Sequence, residues 1–219
     1  MLGGGNSMQI NLTQLELEAC LDFATRSAQT QREEAFGQTG ERRTRNQIEV
    51  DTRIGKVAEL AFSKMLENNF GIATELDWGV YPRGEYDECD VTINGWRFDI
   101  KGTKQRSKWL LVEDNKIRAQ KKDNALCHFY ILVTVAIGLN AQPTGSCEIR
   151  GYAPLEWFRD EAPCKRLRRG MFIPKTQTPL KADNYAFFSH DLRKDWDFLI
   201  RNTIQKQAPS LSSFKLFKV

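Results

Sequence analysis

Residues 89–104, CDVTINGWRFDIKGTK, decide how the rest of the chain is read. Asn94-Gly95 stands between two runs that alternate apolar and polar residues, and Asn-Gly is the preferred two-residue type I′ turn. A hairpin built on that turn pairs Ile93 with Trp96, Thr92 with Arg97, Val91 with Phe98 and Asp90 with Asp99. Strand side chains alternate in direction, so Val91, Ile93, Trp96, Phe98 and Ile100 share an apolar face, while Asp90, Asp99 and Lys101 share the other. Counting outward from the turn makes Asp90 and Asp99 a non-hydrogen-bonded pair, the closest kind, with Cβ atoms about 4.5 to 5.5 Å apart. Two carboxylates at that distance repel. Mg²⁺, which commonly takes one or two carboxylates with waters and phosphate oxygens, would offset the repulsion, and so would Lys101.

Upstream, Ile54, Val57, Ala58, Ala61, Phe62, Met65 and Leu66 form an i, i+3, i+4 stripe that predicts a helix over Ile48 to Asn69. At about 100° per residue, Glu59 falls on the border of that stripe beside Ala58 and Phe62, where a carboxylate can reach a cleft between helix and sheet. An earlier helix is expected from Leu12 to about Phe36 with Asn11 as its cap, followed by a basic loop over Gly37 to Gln47. Beyond Gly71 strands are expected at Ile72 to Leu76, Cys89 to Ile93, Trp96 to Lys101, Trp109 to Val112 and Cys147 to Tyr152. A short helix is expected at Asp114 to Lys122 and another from Pro154 to Phe158, while HFYILVTVAIGL, residues 128–139, reads as a central strand buried on both faces. Helices packed on a mixed sheet follow from this order.

The longest apolar run, Phe129 to Leu139, is far shorter than the about 20 residues a membrane span needs. The start, MLGGGNSM, has no basic n-region or apolar h-region, so a cytoplasmic protein is expected, with the Gly-rich residues before Met8 reading as an added leader. Five widely spaced cysteines with no CxxC pair, and only two histidines, His128 and His190, argue against a disulfide scaffold or a structural zinc site. Both histidines read as packing or capping residues. Any metal would be held by carboxylates.

Helix glutamate, strand aspartate, then Asp99-Ile100-Lys101 on the next strand resembles the PD-(D/E)XK nuclease superfamily, the restriction endonuclease-like fold. Within about Asp51 to Val135, GKVAELAF resembles the family's first helix, ECDVTING its first ligand strand, RFDIKGT its D-x-K strand and HFYILVTV the buried strand that follows. Cys89 stands where a proline often precedes the ligand, which leaves Asp87 as a competitor; the hairpin register favours Asp90. The resemblance implies an N-terminal helix and basic loop over residues 1–47 and a nuclease-like unit over residues 48–219, forming one compact domain.

It further implies Mg²⁺, replaceable by Mn²⁺, on Asp90, Asp99 and the Ile100 main-chain carbonyl, with Glu59 completing the site or serving a second ion. Lys101 would orient or help deprotonate the attacking water and stabilise charge on the phosphate. The reaction would be phosphodiester hydrolysis, most simply by a DNA endonuclease, with RNA left open and a homodimer plausible for double-strand cutting. A non-catalytic nucleic-acid-binding module on the same fold is the alternative.

The charge distribution is compatible with a polyanionic partner. From Lys101 to Lys122, Lys101, Lys104, Arg106, Lys108, Lys116, Arg118, Lys121 and Lys122 face only Glu113 and Asp114, a net of about +6. Arg42, Arg43 and Arg45 form a second cluster, and Lys165, Arg166, Arg168 and Arg169 a third, that could clamp a backbone if the fold brings them to one side.

Overall fold

The computed structural model describes residues 7–30, 35–36, 41–42, 44–81, 89–118, 127–158, 163–174 and 176–210. The chain is mixed α/β. Its order is β1 (Met8–Asn11), α1 (Gln14–Thr30), β2 (Ala35–Phe36), β3 (Glu41–Arg42), α2 (Arg45–Phe70), β4 (Val91–Ile93), β5 (Trp96–Lys104), β6 (Trp109–Glu113) and α3 (Asp114–Arg118). There follow β7 (Phe129–Ile137), β8 (Pro143–Pro154), a 3-10 turn (Leu155–Phe158), β9 (Lys165–Leu167), β10 (Asn184–Phe188) and α4 (Trp196–Gln205). A five-stranded sheet runs β1-β8-β7-β5-β4, and a three-stranded sheet runs β6-β10-β9.

The hairpin forms as its turn chemistry dictates. Asn94 and Gly95 both take positive φ, 47° and 79°, and Val91, Thr92 and Ile93 face Phe98, Arg97 and Trp96. On its other side β5 pairs in parallel with β7, from Phe98 opposite Phe129 to Lys104 opposite Val135, and β7 is buried on both faces along most of its length.

One face of the sheet packs on α2 and α4: Phe62 lies 5.8 Å from Phe98 and 6.1 Å from Trp196, and Tyr152 lies 5.2 Å from Trp196. The opposite face is covered by the 3-10 turn and the small sheet, where Phe158 sits 4.8 Å from Tyr130, 5.4 Å from Tyr185 and 4.9 Å from Phe187. His128 is buried at the start of β7, with Nδ1 accepting from Arg97 N at 3.0 Å and Nε2 placed 3.2 Å from the Pro209 carbonyl; burial lowers its pKa. It is a packing residue, as expected.

Several boundaries differ from the sequence reading. Asn11 does not cap α1; it ends β1, opposite Ser146, and Thr13 makes a reciprocal cap with Glu16. That helix is described to Thr30, Ala35–Phe36 is strand β2 where the helix is expected to end, and β3 falls in the stretch expected to be a loop. α2 begins three residues early, at Arg45, because Thr44 and Gln47 form a capping box, and it ends at Gly71 in the left-handed conformation. Residues 72–76 form no strand, since Ile72 and Leu76 pack against the core without a partner strand and Thr74 is tied to Ser63 of α2 at 2.6 Å. The helix expected over Asp114 to Lys122 is described only to Arg118. No helix among the described residues is long and apolar enough to cross a membrane.

α2 comes close to the sheet at Gly102 of β5. A Cβ there would lie 2.6 Å from the Ile54 carbonyl oxygen and 2.8 Å from the Ala58 Cβ. Only hydrogen fits, so α2 lies directly on β5. Gly102→Ala is expected to lower stability by about 1 to 3 kcal/mol, the range for overpacking, because the clash is with backbone that cannot rotate away; an unchanged denaturant midpoint would refute the close packing.

Candidate active site

β5 outruns β4, and that difference builds the site. Regular pairing ends at Val91 opposite Phe98, whose carbonyl also accepts from Asp90 N at 3.1 Å. Alternation along β5 then turns the Ile100 peptide groups toward the side β4 has vacated. The Ile100 N–H finds no strand partner there and instead donates to the Asp90 carboxylate.

Asp90 is therefore not the ladder partner of Asp99 that simple counting predicts. Its carboxylate wraps onto the sheet edge beside Ile100, because a side-chain oxygen takes the place of the missing strand carbonyl. The same alternation points the Ile100 carbonyl to this edge.

Asp99 and Lys101 do share one face, toward the small sheet. Asp99 is 8% exposed, and Lys101 Nζ stands 2.8 Å from its Oδ1 and 2.6 Å from its Oδ2. Only the Oδ1 contact has hydrogen-bond geometry, which leaves the buried Oδ2 with a charge partner but no hydrogen bond. Lys116, from α3, brings its Nζ within 3.9 Å of Oδ1.

Glu59 arrives from α2. One of its oxygens is held by Lys56, whose buried ammonium also donates to the Asp77 carbonyl at 2.7 Å and sits 4.5 Å from the Phe23 ring centre and 5.2 Å from that of Trp78. A lysine this enclosed cannot swing away, so it fixes Glu59 at the edge of the cleft.

The electrostatics separate the three acids. Burial pushes the Asp90 carboxyl well above its ordinary range, and the charges of Asp99 and then Glu59 push it further. Burial would raise Asp99 too, but Lys101 and Lys116 outweigh it and hold that carboxyl low. Lys101 is disfavoured as a cation by burial, yet Asp99 and Asp90 raise its pKa and keep it protonated. Among the described residues no lysine or arginine forms an ion pair with Asp90. Beside it, the Cys89 thiol is pushed down to about 6, chiefly by a hydrogen bond from Cys127.

Among the described residues no three His, Cys, Asp or Glu side chains form a ready cation cage. The donors nonetheless suit a hard cation: an unbonded buried oxygen on Asp99, an Asp90 carboxylate crowded by like charge, and a main-chain carbonyl on the same edge. Glu59, held by Lys56, suits a ligand acting through water.

The basic residues divide. Lys104, Arg106 and Lys108 are exposed on the turn after β5, closed by Ser107 N to the Lys104 carbonyl at 2.8 Å, and Lys116 and Arg118 are exposed on α3. Arg45 begins α2, about 21 Å along the helix from Glu59 at 1.5 Å per residue. Asp87, Arg43, Lys121, Lys122 and the side chain of Arg42 lie outside the described residues. The burial of Lys56, an isolated lysine on an amphipathic helix, and of Asp114 at the start of α3 has no local mark in the sequence.

Comparison with family models, with curated proteins and with solved structures finds no match to the chain.

Asp90→Asn retains an acceptor for Ile100 N–H while removing the charge. A carboxyl whose pKa rises on folding costs stability as pH climbs through its folded value and costs nothing below its unfolded one. In metal-free buffer the variant is expected to melt higher than the parent at pH 8, with the gain shrinking toward pH 4; thermal scans across that range check it, and a gain independent of pH would count against the crowded carboxylate.

Proposed function

We propose that the chain is a Mg²⁺-dependent nuclease with a restriction endonuclease-like fold, acting on DNA as an endonuclease. The observation that carries this reading is the Asp90 carboxylate, which feels the charges of Asp99 and Glu59, accepts from Ile100 N–H and forms no ion pair among the described residues. A module that only bound nucleic acid would gain nothing from acids gathered near a polyanion. Such a silent binding module remains the alternative.

Asp90, Asp99 and the Ile100 carbonyl would hold the ion, with Glu59 reaching it through water. When bound, Mg²⁺ supplies a Lewis acid for a phosphoryl oxygen and lowers the pKa of a coordinated water. The chain's own groups do the rest. Lys101, held against Asp99, would orient or help deprotonate the attacking water and stabilise charge on the phosphate. Lys116 adds a second ammonium on the same side of Asp99. Lys56 holds one oxygen of Glu59, and Ile100 N–H holds the Asp90 carboxylate at the sheet edge.

Incubation with linear, supercoiled and branched DNA, in Mg²⁺, Mn²⁺ or EDTA, tests the proposal. Asp99→Ala is expected to abolish metal-dependent cleavage while binding stays near normal or tightens, since a charge that repels phosphate is gone. Lys101→Ala is expected to slow turnover by ~10²-fold or more with little change in metal affinity. Parent-like cutting by Asp99→Ala would remove the site from the chemistry, and salt-sensitive binding with no cutting by the parent would favour the silent module.

A further inference from the structure

The small sheet carries a basic surface that the carboxylate site alone does not account for. Asp114, 8% exposed, organises it: Oδ1 accepts from Arg166 Nη2 at 2.7 Å, and Oδ2 pairs with Arg118 Nε at 2.8 Å. Both arginines keep about half of their side-chain surface in solvent, 48% for Arg166 and 59% for Arg118. Lys116 lies between this cluster and Asp99.

Asp183 extends the surface. Its carbonyl accepts Asp114 N at 2.9 Å, and its Oδ1 accepts Arg169 N at 2.8 Å, so the turn after β9 is anchored beside α3. That turn, Arg168 to Met171, closes through Met171 N to the Arg168 carbonyl at 3.0 Å and is allowed by Gly170 at φ 82°. Leu167 and Leu180 turn inward with Trp109 and Ala186, and Ile173 packs against them. Met171 and Phe172 are left outside, 47% and 60% exposed, next to Arg168 and Arg169.

An exposed aromatic side chain just after the Arg168–Met171 turn, which Asp183 anchors beside the basic α3, fits one kind of partner. We propose that this surface binds a nucleic-acid strand with unpaired bases, its phosphates crossing Lys116, Arg118 and Arg166 and one base stacking on Phe172. A continuous duplex offers phosphates to the basic row but no free base face to Phe172. The inference rests on the nuclease reading and narrows it to single-stranded or branched substrates.

The test is fluorescence anisotropy in EDTA, where cleavage plays no part, using labelled oligo(dT) and a blunt duplex of equal length. The parent is expected to bind oligo(dT) more tightly. Phe172→Ala, at an exposed position that leaves folding intact, is expected to weaken oligo(dT) binding by about tenfold and duplex binding hardly at all. Phe172→Trp restores the affinity, and Arg168→Glu weakens both ligands and flattens the salt dependence. If Phe172→Ala binds oligo(dT) as the parent does, or if the duplex is preferred, the surface is not a single-strand reader. Such a result alongside metal-dependent cutting leaves the nuclease reading standing; a parent that binds neither ligand overturns the single-strand surface, while the cleavage assay decides the nuclease reading separately.

Discussion

The seating of α2 on β5 at Gly102 is the constraint on which the site depends. Because the Ile54 carbonyl and Ala58 leave no room for a Cβ, the helix sits close over the strand at this point. Glu59, one residue beyond Ala58, is then carried to the cleft edge, and Lys56, one turn earlier, is driven inward against Phe23 and Trp78. Phe62 continues the same face into Phe98 and Trp196, so the contacts that hold the core also aim the glutamate.

Unequal strand lengths do the remainder. Had β4 continued, the Ile100 peptide would be consumed by ladder hydrogen bonds and Asp90 would lie on an ordinary outer face. Its early end leaves a backbone donor and a backbone acceptor at the edge, and Asp90 takes the donor. On the other flank, the parallel pairing of β5 with β7 requires a crossover, and that crossover contains β6 and α3. Lys116 and Asp114 reach the site because the chain must cross the sheet there before returning as β7.

What could be read in advance was what is encoded locally. The Asn94-Gly95 turn, the helix stripe around Val57 to Leu66 and the apolar run of β7 each carry their signal in consecutive residues, and the hairpin formed in the expected register up to Val91. The hidden features depend on distant partners. Counting residues assumed that the ladder continued to Asp90, and nothing local marks where a strand gives way to a side chain. Residues 72–76 have strand-like composition but no neighbouring strand. β1, β9 and β10 are short, with partners far off in sequence, and the buried states of Lys56 and Asp114 arise from Phe23, Trp78 and Arg166 rather than from their own surroundings.

One edge strand of the five-stranded sheet, β1, precedes the other four along the chain. β1 lies antiparallel to β8, with Met8 opposite Ile149, and pairs with no other strand among the described residues. At 5 to 20 residues per second, a ribosome takes roughly seven to thirty seconds to make the intervening chain. Throughout that interval Met8 to Asn11 has no mate, while α1 and α2 can already pair. Assembly of the sheet can thus run from the β4 edge across β5, β7 and β8, with β1 closing it last, a sequence of events in which the acidic site at the β4 edge is built before the opposite border is sealed.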